Sequence, residues 1–251
     1  MVLTQTARLL CDAALTLAYP QPCLICGLSV ESRYFGVACE RCWAATQVFT
    51  GEEAICWRCG AVSRGAIAAE LRYQVRCRRC EQQPFTAARA CGLYHGALRE
   101  SVLALKRQPH LPGRILELLA GTSRRIPLHE STRIIPVPLH QEREHARGFN
   151  QAAIVGRALA KLIRLPVDEV SLVRIANSEK YRAGLDAKGR RDTVENAFAV
   201  RHPRLVLDES VLLVDDVFTT GATVAACANA LISAGAKDVF VLTIARPSEF
   251  P

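Results

Sequence analysis

The sequence predicts an α/β fold: a parallel sheet with flanking helices, preceded by a small cysteine-rich module stapled by metal. Three observations predict it. Continuous apolar runs alternate with helix-periodic stretches through the later part of the chain. Eight of the 11 cysteines fall between Cys23 and Cys80, all as C-x-x-C pairs. The 251 residues, 50% hydrophobic and 22% charged, suffice for one large domain or two small ones and exclude a disordered chain. Pro84 interrupts the chain where the cysteines stop, which divides it into 1–84 and 85–251.

The first element is an amphipathic helix. Leu9, Leu10, Ala13, Ala14 and Leu17 recur at three- and four-residue steps, and Pro20 and Pro22 end it. Its apolar face is expected to pack on a neighbouring domain, because the polar face carries too little charge for a membrane surface. The stretch 9–19 contains Asp12 and is too short to span a bilayer. Arg8 alone is a poor start for a secretory signal, so no membrane span and a cytoplasmic location are expected.

Four C-x-x-C pairs follow: Cys23/Cys26, Cys39/Cys42, Cys56/Cys59 and Cys77/Cys80. Two cysteines three apart in a tight turn can aim both sulfurs at one ion, and two such turns complete a tetrahedral site. The pattern predicts two structural Zn²⁺ sites with no open position and hence no chemistry of their own. Disulfides are disfavoured in the cytosol, and a thioredoxin-like centre uses one C-x-x-C rather than four. Sequential pairing (the first two pairs on one ion, the last two on the other) is the simpler arrangement; cross-braced pairing fits the spacing too. Gly27 and Gly60 follow the first and third pairs, which points to a duplicated module. Cys11, Cys91 and Cys227 are expected to be small buried thiols.

In the second part, 97–106 and 115–125 read as helices, 133–137 (RIIPV) as a buried strand and 149–163 as a helix. Residues 211–214 (VLLV) form the kind of apolar run found in a strand covered on both faces. The alanine-rich stretch 222–234 reads as a helix stopped by Gly235, and 238–245 (DVFVLTIA) as another buried strand. Strand, helix, strand in that order implies a right-handed parallel crossover.

The chemistry concentrates at VLLVDDVFTTGATV, 211–224. The strand is expected to end at Val214, with Asp215 and Asp216 emerging at the carboxyl edge where ligands of such sheets sit. Two adjacent carboxylates suit the vicinal hydroxyls of a ribose and can hold Mg²⁺ through water. Thr219, Thr220, Gly221, Ala222 and Thr223 turn into the following helix, where successive N–H groups and hydroxyls can wrap a phosphate. Acids for a sugar beside a nest for a phosphate make a grip for a ribose 5-phosphate.

That run resembles the fingerprint of type I phosphoribosyltransferases, which bind phosphoribosyl pyrophosphate (PRPP). With the cysteine module, the chain is similar end to end to the competence-protein F (ComF) family. CLICG at 23–27, VPLHQEREHARGFNQ at 137–151 and GLDAKGRRDTVENAF at 184–198 carry the match. Arg182 and Thr193 stand where that family usually has Gln and Asn. The resemblance implies a double zinc ribbon before a phosphoribosyltransferase-like domain. It also implies a role in natural competence and DNA uptake, with PRPP plus Mg²⁺ as ligand and single-stranded DNA and competence-machinery proteins as partners. Lys106 resembles the family's leucine-lysine step at a helix end. The alternative is an active transferase moving phosphoribosyl to an unidentified acceptor.

The formal charge of +8 falls to about +4 once eight thiolates and two Zn²⁺ are counted. The excess sits mid-chain: residues 133–191 hold twelve Lys/Arg against six Asp/Glu. Arg143 and Arg147, spaced i and i+4 just after 133–137, would share a helix face and clamp a polyanion. Gly148 and Asn150 read as a turn or cap. Arg190 and Arg191 sit in a charged stretch able to close over a ligand, whereas Lys188 and Arg174 read as a solvated face. With 6% aromatics there are few stacking platforms, and Trp43 and Trp57 beside the cysteine turns are the candidates.

Overall fold

The computed structural model describes residues 2–63, 71, 74–175 and 197–248. Its centre is a four-stranded parallel sheet in the order β1-β6-β5-β2, built from β1 (Ala87–Ala90), β2 (Arg133–Pro136), β5 (Ser210–Val217) and β6 (Asp238–Ala245). A short antiparallel pair, β3 (Leu172–Arg174) and β4 (Phe198–Val200), stands apart from it.

The apolar runs form the interior strands because alternate side chains bury on opposite faces. On one face Ile134, Leu212, Val214, Phe240, Leu242 and Ile244 meet α3 (Gly96–Leu105), α4 (Gly113–Ser123) and α6 (Gln151–Ile163). On the other, Ile135, Val211, Leu213, Val239 and Val241 pack beneath α7 (Ala222–Ser233) and the β3–β4 pair. The expected helices and inner strands are present with ends moved by a few residues. The helix expected over 149–163 starts at Gln151, because the Asn150 side chain caps it by accepting from Ala152 N at 2.9 Å. The strand expected to stop at Val214 runs on to Val217, so both acids lie in its last rungs rather than beyond it.

β1 (AARA) has no bulky apolar residue and gave no strand signal in the sequence. The cysteine module covers this edge of the sheet: Ala88 N donates to Arg58 O at 2.6 Å and Phe49 N to Cys91 O at 2.8 Å. The sheet edge and the module therefore satisfy each other's backbone groups.

Two expectations need correction at the N-terminus. α1 (Val2–Ala18) forms, but Leu10, Leu15 and Leu17 are exposed, Leu17 by 84%. The helix is held instead by Asp12, whose carboxylate accepts from Ser32 Oγ (2.6 Å) and Arg33 N (3.2 Å). Cys11 lies exposed on the same helix, not buried; Cys91 and Cys227 are buried as expected. No described helix is long and apolar enough to cross a membrane.

Candidate functional site: a ribose-phosphate turn and two four-cysteine clusters

β5 delivers Asp215 and Asp216 to the carboxyl edge of the sheet on opposite sides of the pleat. Asp216, on the α3 side, is 7% exposed, and Lys106 Nζ lies 3.2 Å from its Oδ2. Lys106 is the C-cap of α3, so the helix end aims the ammonium at the strand end. The contact is an ion pair without hydrogen-bond alignment, which leaves Oδ2 without a hydrogen-bond partner. Asp215 faces the α7 side, partly buried, and its Oδ1 accepts from Asp216 N at 2.9 Å. Burial, and then the charge of Asp216, push its carboxyl up to about 8. Burial also pushes the Cys227 thiol on α7 well above its ordinary value, with the Asp215 charge adding to it.

The chain then reverses through the turn at 219–221. Gly221 has φ +81°, a conformation that suits glycine, and a Cβ there would stand 2.8 Å from the Phe218 ring. Thr219, Thr220, Ala222 and Thr223 are exposed. Thr220 Oγ1 accepts from Ala222 N at 3.3 Å, and the helix bonds begin with Ala225 N donating to Gly221 O at 2.8 Å. The N–H groups of Thr219, Thr220, Gly221 and Thr223 have no acceptor among the described residues. Open donors at the start of a 12-residue helix form a receptor for an anion.

β2 lies beside β5 and runs parallel to it, so the loop at 138–140 leaves the same edge of the sheet. Asn150 Nδ2 donates to Val137 O at 3.0 Å and ties that loop to α6. Arg143 and Arg147 both fall on the intervening helix α5 (Gln141–Arg147), which Gly148 ends at φ +81°. Arg143 is exposed; Arg147 is half-buried and hydrogen-bonds Gln151 Oε1. The predicted helix is therefore present, with Arg147 turned to its own chain. Arg174 is not on a solvated face: it is half-buried, with its guanidinium 5.4 Å from the Phe198 ring centroid. Arg182, Thr193, Lys188, Arg190, Arg191 and most of the GLDAKGRRDTVENAF match lie outside the described residues.

The cysteines gather in two groups, Cys23, Cys26, Cys39, Cys42 and Cys56, Cys59, Cys77, Cys80, with all four ligand atoms of each within 4.8 Å of one another. The tertiary structure thereby decides for sequential pairing. Sulfur separations of 3.3 Å (Cys56–Cys80), 3.5 Å (Cys59–Cys77) and 3.6 Å (Cys26–Cys39) approach the ~3.8 Å edge of a tetrahedral four-thiolate zinc site. The donor set fits such an ion. In the second cluster the Cys59 thiol, outweighing burial, pulls Cys56 down to about 4, while burial and the neighbouring sulfurs push Cys80 up to about 12. One ready thiolate opposing the ionisation of its neighbours is what a bound dication relieves.

Two buried arginines escaped notice in the sequence. Arg246, just past β6, is 3% exposed, donates from Nη1 to Cys59 O and stacks 5.4 Å from the Phe218 ring centroid. Arg89, on β1, is 6% exposed and donates from Nη1 to Trp57 O at 2.8 Å. Both hold the second cluster against the sheet, and no sequence pattern marks them. Trp43 is buried and donates to Phe35 O at 3.0 Å, so it packs its ribbon; Trp57 is half-buried.

Sheet order, acid pair and anion turn define a phosphoribosyltransferase-type domain behind a double four-cysteine module, and the phosphoribosyl transferase domain profile matches residues 147–249. DNA utilization protein YhgH of Shigella flexneri is 29% identical over 238 residues, covering 92% of this chain and 99% of that protein. Competence protein F of Haemophilus influenzae is 35% identical over 114 residues, 45% of this chain and 49% of that protein. A solved glutamine PRPP amidotransferase from B. subtilis, complexed with ADP and GMP, shares 18% identity at a TM-score of 0.37 over 59% of this chain and 26% of that one. The full-length likeness to YhgH and the partial likeness to competence protein F agree with the resemblance to the competence-protein F family that the sequence motifs carry.

Proposed function

We propose that this protein is a cytoplasmic ComF-like factor of DNA uptake and utilization whose 85–251 domain binds PRPP or a related ribose 5-phosphate ligand. The carrying observation is the exposed turn at 219–223 with its unpartnered N–H groups next to the Asp215–Asp216–Lys106 cluster. The 5-phosphate takes the turn. The acids address the ribose hydroxyls, and Lys106, Arg143 and Arg147 are the cations for the pyrophosphate. Mg²⁺ bound with PRPP would neutralise the pyrophosphate charge. Two Zn²⁺ ions in the cysteine clusters give residues 1–84 the stability that a short chain with few apolar groups lacks. The basic stretch 133–191, which includes α5, is the proposed contact for single-stranded DNA.

Calorimetric titration of the zinc-loaded protein with PRPP and Mg²⁺ tests the first part. One equivalent is expected to bind, with affinity at least tenfold lower in Asp215→Ala. Absence of binding, or identical binding by the variant, overturns it. Single-stranded DNA affinity measured from 50 to 200 mM salt tests the second: a phosphate interface weakens steeply, and a flat response removes the DNA role.

A further inference from the structure

A cavity of about 340 Å³ lies where residues 49–57 of the cysteine module meet β1 and the end of α4. Arg89 and Ala90 of β1 line it, so it lies at the β1 edge of the sheet, with β6 between it and the β5 strand that carries Asp215 and Asp216. Three guanidinium groups line it: Arg89, Arg124 and Arg125. Their only hydrogen bonds among the described residues go to backbone carbonyls. Arg89 Nη1 serves Trp57 O and Ala88 O, both at 2.8 Å, and its Nη2 serves Ile126 O at 3.3 Å. Arg125 Nη2 serves Phe49 O at 2.6 Å. None of the three has a carboxylate within ion-pair distance among the described residues.

Two acids also line the cavity. Glu53 is committed to its own turn, accepting from Thr50 N (2.7 Å), Thr50 Oγ1 (3.0 Å) and Gly51 N (2.9 Å). Glu52 is exposed. The sulfurs of Cys56 and Cys59 partly offset Arg89, but Arg124 and Arg125 keep free donors. Converging cations with unfilled donors in a concave site call for an anion with several acceptor oxygens. Apolar wall is supplied by Ile55, Ile126 and Trp57, whose ring centroid lies 5.2 Å from the Arg89 guanidinium. Guanidinium planes and aromatic rings are the surfaces on which heterocycles stack. The volume is that of a small-molecule site.

We propose that this cavity is a second ligand site, separate from the ribose-phosphate turn, that takes a nucleotide: phosphate on Arg124 and Arg125, base against Arg89 and the apolar wall. The nucleotide is either free or the 5′-phosphorylated end of a DNA strand. The site does not depend on PRPP binding at the turn that follows β5.

The test follows tryptophan emission of the full zinc-loaded chain, since Trp57 borders the cavity while Trp43 is buried. Thymidine 5′-monophosphate is expected to change the emission saturably, with a Kd at least tenfold below that of thymidine. Arg124→Glu, at an exposed helix end, is expected to raise that Kd at least tenfold with an unchanged circular dichroism spectrum, and Arg124→Lys to restore most of the affinity. Asp215→Asn leaves the titration unchanged if the sites are separate, whether or not PRPP binds. Competition by a 5′-phosphorylated oligothymidylate, but not by its unphosphorylated twin, assigns a strand end; failure of both to compete assigns the free nucleotide. Equal binding of thymidine and its monophosphate, indifference to Arg124→Glu, or loss of the signal in Asp215→Asn overturns the proposal.

Discussion

Replacing Asp215 by Asn should flatten the pH dependence of stability in a way that no distant substitution can. Burial and the adjacent Asp216 push the Asp215 carboxyl up to about 8, against an ordinary value near 4. Between those limits the folded chain keeps a proton that the unfolded chain has released. The native state then binds more protons, so stability falls as pH rises. This contribution is complete below about pH 4 and is lost progressively toward pH 8. One proton corresponds to a slope of about 1.4 kcal/mol per pH unit. For a chain of this size that is roughly 3–6 °C in Tm per unit. Asn keeps the acceptor for Asp216 N but has no proton to lose. Thermal unfolding of both zinc-loaded proteins at pH 5, 6 and 7 should show the variant gaining on the wild type with each step. Titrations of groups that do not interact with Asp215 cancel in the difference. Parallel curves, offset by a constant, would refute a raised Asp215 and with it the picture of a recessed, charge-averse acid pair.

Three further outcomes are expected. Gly221→Ala forces a side chain into φ +81° and against the Phe218 ring, which packs edge-on with Phe85 at 5.9 Å. Denaturant melts should show a loss of about 2 kcal/mol. Metal analysis with a colorimetric chelator should return two Zn²⁺ per chain, and their removal should lower Tm and expose the β1 edge to faster amide exchange, because the module supplies Arg58 O as acceptor for Ala88 N and Phe49 N as donor to Cys91 O. Arg246→Met keeps the volume but strips the donor from the buried Cys59 carbonyl. A loss of about 1–3 kcal/mol, with faster release of one Zn²⁺ but not the other, would show that this arginine positions the second cluster.

Much of the architecture was legible because its signals are local. The strands at 211–214 and 238–245 announce themselves since both of their faces are buried, which leaves no polar position to interrupt the run. The cysteine turns are legible for a similar reason: metal geometry dictates a spacing of three whatever surrounds it. The same holds for Gly221 and the threonines, whose turn chemistry is written in five consecutive residues. β1 was invisible because three alanines and an arginine form a strand only when the module and β6 flank them. The apolar face of α1 misled because period alone does not say whether a partner surface exists.

By itself, then, the amino-acid order determined the inner strands, the helices, the cysteine turns and the glycine-threonine turn after β5, since each is set by interactions within a few residues. The three-dimensional arrangement alone decided which cysteines gather into one group. It brought Lys106 to Asp216 across 110 residues of chain. It also buried Arg89 and Arg246 as props for a cluster distant in sequence, and opened a cation-lined cavity at the β1 edge of the sheet. Those features depend on long-range packing, and a charged side chain carries no mark of the partner that folding will place beside it.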